Sequence, residues 1–216
     1  MSAPLIASVL HLDRRAVQAL RITDPYSLHR VVYSLYADVR GAAEKSASQT
    51  SGILYADQGG DFRGRRILLL ANREPAACLD GEYGEVHSKP VPDGFLDHEH
   101  YHFKVQVNPT RRDNASGRLL PVKGHEAVGQ WFCGRAEASW GFRVDTEHLR
   151  VERIEVLRFT DKQRHPVTIA QAHVQGRLVV TDRDRFRLSF TQGIGRARAF
   201  GCGLLQIVPL IDHPFA

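Results

Sequence analysis

The order of sequence patterns along this 216-residue chain predicts an α+β protein made of two tandem halves with antiparallel sheets. Three observations carry that expectation. The first half reads β-α-β-β, then a stretch without period, then β. A basic, glycine-containing link at 111–124 follows, and beyond it a second series reads β-α-β-β-α-β. The length suits two domains of about 100 residues each. This is the element order of the ferredoxin-like (RRM-like) fold. It sets the expected domains at 1–112 and 122–216. No sequence repeat relates the halves, so the pairing rests on element order.

The first half opens with Leu5 to Leu12, a short apolar run suited to a buried strand. Asp13 to Ile22 is mixed and fits a short helix or a loop. Thr23-Asp24-Pro25 then marks a helix start: a capping side chain precedes a proline whose missing N–H would be unpaired there anyway. That helix carries Tyr26, His29, Val32, Tyr33 and Tyr36 along one side and is expected to end near Gly41. Residues 42–51 are small and polar and read as a loop. Ile53 to Asp57 and Arg66 to Ala71 flank a glycine-rich connection and read as an antiparallel hairpin. Residues 75–95 hold three prolines and three glycines and show no clean period, with room for a short helix. Tyr101 to Asn108 alternates well and reads as the strand that closes the first half.

In the second half, His125 to Ser139 has Val128, Trp131, Phe132 and Arg135 at helical spacing. Phe142 to Val144 and Val151 to Phe159 read as strands, Asp161 to His165 as a turn, and Val167 to Val180 as one or two further strands. Asp182 leads a helix to about Thr191, and Leu204 to Pro209 reads as the last strand.

Composition narrows the function classes. Apolar residues make up 43%, enough for a packed core, and the net charge is +5 with a pI near 9.3. Arginine greatly outnumbers lysine. Arginine grips phosphate with two parallel N–H groups and stacks on bases, so the balance favours nucleic acid or another polyanion. Cys78, Cys133 and Cys202 are odd in number and scattered, which argues against a disulfide framework and against a zinc knuckle. No apolar run approaches the roughly 20 residues that span a bilayer. Met1 to Pro4 lacks a basic signal-peptide start. The expectation is a reduced, soluble, cytoplasmic protein with no membrane partner.

The most informative stretch is Gly193 to Gly203, with Gly193, Gly195, Gly201 and Gly203 in two Gly-x-Gly pairs and Arg196 and Arg198 between them. Glycine serves where backbone takes positive φ or lies close to another backbone or a ligand. Beside guanidinium groups, that suggests main chain pressed against an anion such as phosphate. A turn packed tightly ahead of a last strand accounts for the glycines equally well. Known phosphate loops fit badly: a dinucleotide fingerprint needs glycine at Arg198, and a Walker loop needs a Gly-Lys-Ser/Thr that is absent.

The pattern Gly-x-Gly-x5-Gly-x-Gly-Leu-Leu, followed within a few residues by Val-Pro, resembles the glycine-rich loop of the CRISPR repeat-RNA endoribonucleases, and within them the CasE (Cse3) family of type I-E systems. Tyr26-Ser27-Leu28-His29-Arg30 is similar to that family's aromatic followed by Leu/Met-His near the first helix. The resemblance implies cleavage of RNA without metal or cofactor, with His29 as catalytic histidine and Tyr26 as its helper. Physical reasoning agrees. Positions i and i+3 share a helix face, so both side chains can address one phosphate. They lie in the first turns, where the positive dipole end favours an anion. Histidine moves protons near neutral pH, and a tyrosine hydroxyl can hold a non-bridging oxygen. Arg30 lies about 100° around the helix and is assigned to phosphate binding. On its own, a helical histidine bonded to a nearby carbonyl accounts for His29, and a core aromatic for Tyr26. Tyr33 and Tyr36 read as core.

His98-x-His100-x-His102 is a rival site, since strand alternation puts all three on one face and imidazoles bind metals. No fourth ligand accompanies them, a polar strand edge explains them, and they receive no role. RNA binding is assigned to arginines and lysines. Arg111 and Arg112 follow Asn108-Pro109, similar to the family's Asn-Pro-x-Arg/Lys element, with Lys123 on the same link. Arg158, Lys162 and Arg164 occupy the strand-turn unit where relatives carry basic residues, and Arg196 and Arg198 belong to the loop. Any one of these is also an ordinary solvated charge.

The function so implied is processing of precursor CRISPR RNA at the repeat hairpin. The 2′-OH attacks the adjacent phosphate, leaving a 2′,3′-cyclic phosphate, and the protein then stays with its product among the other Cascade subunits. The alternative is a non-catalytic RNA-binding subunit of such a complex. A metal-dependent hydrolase built on the histidine triple is a third reading.

Overall fold

The computed structural model describes residues 4–37, 51–61 and 64–210. The expected loop at 42–51 lies outside them except for Ser51, and the helix expected to end near Gly41 ends instead at Ser34, with Leu35 as its C-cap. Two compact units are present: one running to Val91 that also takes in Ala199–Gly201, and one made of Pro92–Arg198 and the chain from Cys202 onward.

In the first unit, β1 (Ile6–Leu12) alternates buried and exposed residues, turning Ile6, Ser8, Leu10 and Leu12 inward. The Asp13 carboxylate accepts from the Ala16 N–H at 2.7 Å and starts α1 (Arg14–Ala19). The helix after Thr23-Asp24-Pro25 is α2 (Pro25–Ser34), capped reciprocally. The Asp24 carboxylate accepts from the Ser27 N–H at 2.7 Å, and the Ser27 hydroxyl oxygen accepts from the Asp24 N–H at 2.9 Å. Its Leu28, Val31 and Val32 join Leu10, Leu12, Tyr55, Ile67 and Leu69 in one apolar core.

The expected hairpin is β2 (Ile53–Gly60) with β3 (Arg65–Ala71), and the sheet is completed by β4 (Glu85–Pro90) in the order β2-β3-β1-β4, every neighbour antiparallel. This is the ferredoxin-like order, with one departure. Residues 72–84, where the second helix would stand, form turns around a single bridge between Leu79 and Tyr83.

The second unit is built on β5 (His100–Val107), which turns Tyr101, Phe103, Val105 and Val107 inward. A separate ribbon pairs β6 (Thr110–Arg112) with β7 (Leu119–Pro121), and α3 (His125–Arg135) runs on into a π-helical turn at Ala136–Trp140. β8 (Phe142–Val144) and β9 (Arg150–Thr160) together flank β10 (Pro166–Val180). Next come α4 (Arg183–Gln192), capped by Asp182, and β11 (Gln206–Pro209). The order β11-β5-β10-β8, with β9 also on β10, is the same antiparallel arrangement again. Phe103 stacks on Phe132 of α3 at 5.4 Å between ring centres, and Tyr101 meets Phe186 of α4 at 5.3 Å.

The domain limits expected from sequence need correcting here. The strand assigned to the end of the first half, β5, is hydrogen-bonded to β10 and β11 of the second unit, so the division falls at Val91 rather than between 112 and 122. The strand that does close the first sheet, β4, is an edge strand with five of its six residues exposed. It needs no apolar alternation, and its pattern gave no strand signal.

Candidate functional site

α2 places Tyr26, His29 and Tyr33 on one stripe beside its buried face. Tyr26 and His29 lie nearly parallel, 24° between ring planes and 6.2 Å between centres, as i,i+3 spacing requires. Tyr33 is closer, 4.1 Å from the imidazole, and its hydroxyl oxygen accepts from Ser51 Oγ at 2.9 Å. Phe200 closes a third side at 5.7 Å. The imidazole is half-buried, and its Nδ1 lies 2.8 Å from the carbonyl oxygen of Ala199. A carbonyl only accepts, so Nδ1 carries the proton and the neutral ring has its lone pair on Nε2. The bond to a carbonyl that a purely structural histidine would make is therefore present. It also fixes the tautomer that presents Nε2 as a base.

That carbonyl comes from the glycine-rich loop, and all four glycines have positive φ, as their spacing led one to expect. Two of them show why. At Gly203 (φ +89°) an added methyl group would overlap the Ile194 carbonyl oxygen, because the loop closes on itself there through Ile194 N–H to Gly203 O at 2.9 Å. At Gly201 (φ +81°) it would come within 3.1 Å of the Tyr55 ring. The Tyr55 hydroxyl donates to the same Ala199 carbonyl at 3.0 Å. Ile194, Cys202 and Leu205 are buried around the loop, and Gln171 Nε2 donates to Cys202 Sγ at 3.5 Å. Burial pushes the Cys202 thiol up to about 11, which keeps it protonated and unreactive at neutral pH.

The cations assigned to RNA fall into separate groups. Arg30 is exposed on α2. In the second unit, Arg111 and Arg112 are exposed on β6, Lys123 is exposed just before α3, and Arg158 is exposed on β9. Lys162 and Arg164 stand at the β9–β10 turn, which the Asp161 carboxylate organises by accepting from the Gln163 and His165 N–H groups. Arg196 is exposed, whereas Arg198 donates to the Gln192 carbonyl at 2.8 Å and so braces the end of α4. The histidine triple does not share one strand face. His98 precedes β5 and sets its ring edge-on to Tyr101, leaving His100 and His102 on the strand. Among the described residues, Asp145, Glu147 and His148 are a group of three metal-type donors within 4.8 Å of one another, in a partly exposed turn held by its own hydrogen bonds.

Sequence reasoning missed Tyr55, Phe200 and the role of Tyr33. A tyrosine in an apolar strand gives no sign of which distant carbonyl it meets. Among the described residues no helix is long and apolar enough to cross a membrane.

A family model described as CRISPR associated protein matches residues 6–209. The CRISPR-associated endoribonuclease Cse3 of Thermus thermophilus is 26% identical over 200 residues, covering 87% of this chain and 92% of that protein. The structure of Thermus thermophilus Cse3 bound to an RNA representing a pre-cleavage complex matches with a TM-score of 0.77 at 22% identity, over 95% of this chain and 100% of that one. A chain of a CRISPR RNA-guided surveillance complex matches at 0.66 and 19% identity, again over 95% and 100%. At these identities the two structures speak for the fold, and the family model speaks for descent. The chain belongs to the CRISPR-associated protein family that this model describes.

Proposed function

We propose that this protein is a metal-independent endoribonuclease that cleaves precursor CRISPR RNA at the repeat hairpin and stays with the product in the Cascade complex. Membership of the family and the activity named for the Thermus thermophilus relative support the reaction class. The single observation that carries the mechanism is the imidazole of His29, held in one tautomer by a loop carbonyl and lying parallel to Tyr26.

In this reading Nε2 of His29 takes the proton of the ribose 2′-OH as its oxygen bonds to the adjacent phosphorus. The P–O5′ bond breaks, and the resulting imidazolium is the source of the proton for the leaving 5′-oxygen. The products are a 2′,3′-cyclic phosphate and a 5′-OH. The Tyr26 hydroxyl donates to a non-bridging oxygen as negative charge builds there. Arg30 neutralises backbone phosphate near α2. Arg111, Arg112, Lys123, Arg158, Lys162, Arg164 and Arg196 grip the stem through phosphates and shape, because the deep, narrow major groove of duplex RNA hides its base edges. Arg198 keeps its place in the loop chiefly as a brace.

The test is cleavage of a repeat-hairpin RNA from the neighbouring CRISPR array in EDTA, by wild type and His29→Ala, with a 2′-deoxy residue at the cut site as control. Cutting by wild type alone, on the ribose substrate alone, is the expected result. Binding of the hairpin without any cleavage by wild type would mean a non-catalytic binding subunit. Cleavage abolished by EDTA would mean a metal-dependent enzyme.

A further inference from the structure

We infer that Tyr55 is a positioning residue for His29, acting through the Ala199 carbonyl; its catalytic consequence rests on the reading of His29 given above. Tyr55 sits on β2 with 1% of its surface exposed, and its hydroxyl donates to Ala199 O at 3.0 Å. His29 Nδ1 donates to the same oxygen at 2.8 Å. A carbonyl oxygen has two lone pairs, so it accepts both bonds, and each donor fixes the direction left for the other. The loop also lies close against the Tyr55 ring at Gly201, where an added Cβ would stand 3.1 Å from a ring carbon. Tyr55 thus sets both the position of the Ala199 peptide, through ring contact, and its orientation, through the hydroxyl.

The consequence is chemical. A histidine whose Nδ1–H has a fixed acceptor keeps its lone pair on Nε2. Without that acceptor the proton redistributes between the nitrogens, and the Nε2–H form, which cannot take a proton, becomes populated. Tyr55→Phe keeps the ring that seats the loop and deletes only the hydroxyl. The loop stays, its carbonyl loses one of two tethers, and the bond that orients the His29 imidazole is loosened without loss of any group that touches RNA.

Long-range 1H–15N correlation spectra of the RNA-free protein read this directly. In wild type above neutral pH, His29 should show the Nδ1–H pattern, and in Tyr55→Phe its two nitrogen shifts should move toward each other. Single-turnover cleavage by Tyr55→Phe should slow about tenfold with hairpin affinity unchanged. A wild-type His29 in the Nε2–H form overturns the proposal without recourse to any variant. So do unchanged His29 nitrogen shifts in a folded Tyr55→Phe. Because the spectra require no cleavage, the two readings fail separately: full activity in His29→Ala removes the catalytic histidine and leaves the tautomer result standing.

Discussion

Gly203 and Gly195 both have positive φ, but only Gly203 also lacks room for a side chain. Gly195→Ala should therefore cost about 1 kcal/mol, the strain of a left-handed alanine. Gly203→Ala, which must also push the Ile194 carbonyl aside, should cost about 3 kcal/mol. Urea denaturation of the two variants checks the ordering, and equal losses would mean that φ alone governs the loop. Cys202 offers a test in pH. Its thiol is raised from 9.0 to about 11 by burial, against the hydrogen bond from Gln171, so the folded protein holds a proton that the unfolded chain has released. That contribution is complete below pH 9 and is lost as pH rises toward 11, on the order of 2 kcal/mol. The difference in urea stability between wild type and Cys202→Ala should change by about that amount across the window. At this scale the glycines and the Tyr26–His29 pair were legible, because φ demands and helical spacing are local. Tyr55 was not, since its partner lies 144 residues away.

Two elements carry the proposed chemistry and the proposed grip. α2 begins at a reciprocal cap, and Asp24→Ala should lower stability by about 1 kcal/mol and fray the turn that holds Tyr26. Thermal unfolding followed by circular dichroism measures the first effect, and cleavage rate at saturating RNA the second. In the β9–β10 hairpin, Arg158, Lys162 and Arg164 are exposed along a strand and a turn. Replacing any one with alanine should weaken hairpin binding. It should also reduce the slope of log affinity against log salt by about 1 for each phosphate left without its cation. An unchanged slope would remove that residue from the RNA surface. Strands that bury one face were legible here through alternation, as in β5. The β4 edge was illegible, because a strand exposed along nearly its whole length has no face to mark in sequence.

For the molecule as a whole, element order predicted two ferredoxin-like sheets, and both are present. What order alone could not decide is which sheet each strand joins, because Tyr101, Phe103, Val105 and Val107 would suit either core. The placement of β5 predicts how fragments behave. A fragment starting at Pro92 keeps all the strands of the second sheet and should unfold cooperatively. One starting at Asp113 lacks β5, leaves Val174 and Leu178 uncovered, and should aggregate. Size-exclusion chromatography of the two distinguishes these outcomes. The first unit has the opposite dependence: its histidine, at position 29, bonds to a carbonyl 170 residues further along the chain. A ribosome translating this message therefore makes the helix that carries His29 well before the residue that orients its imidazole. Nascent chains and products of premature termination before Ala199 carry His29 without its orienting acceptor. On the proposed mechanism, nuclease competence thus begins only once translation has passed Ala199.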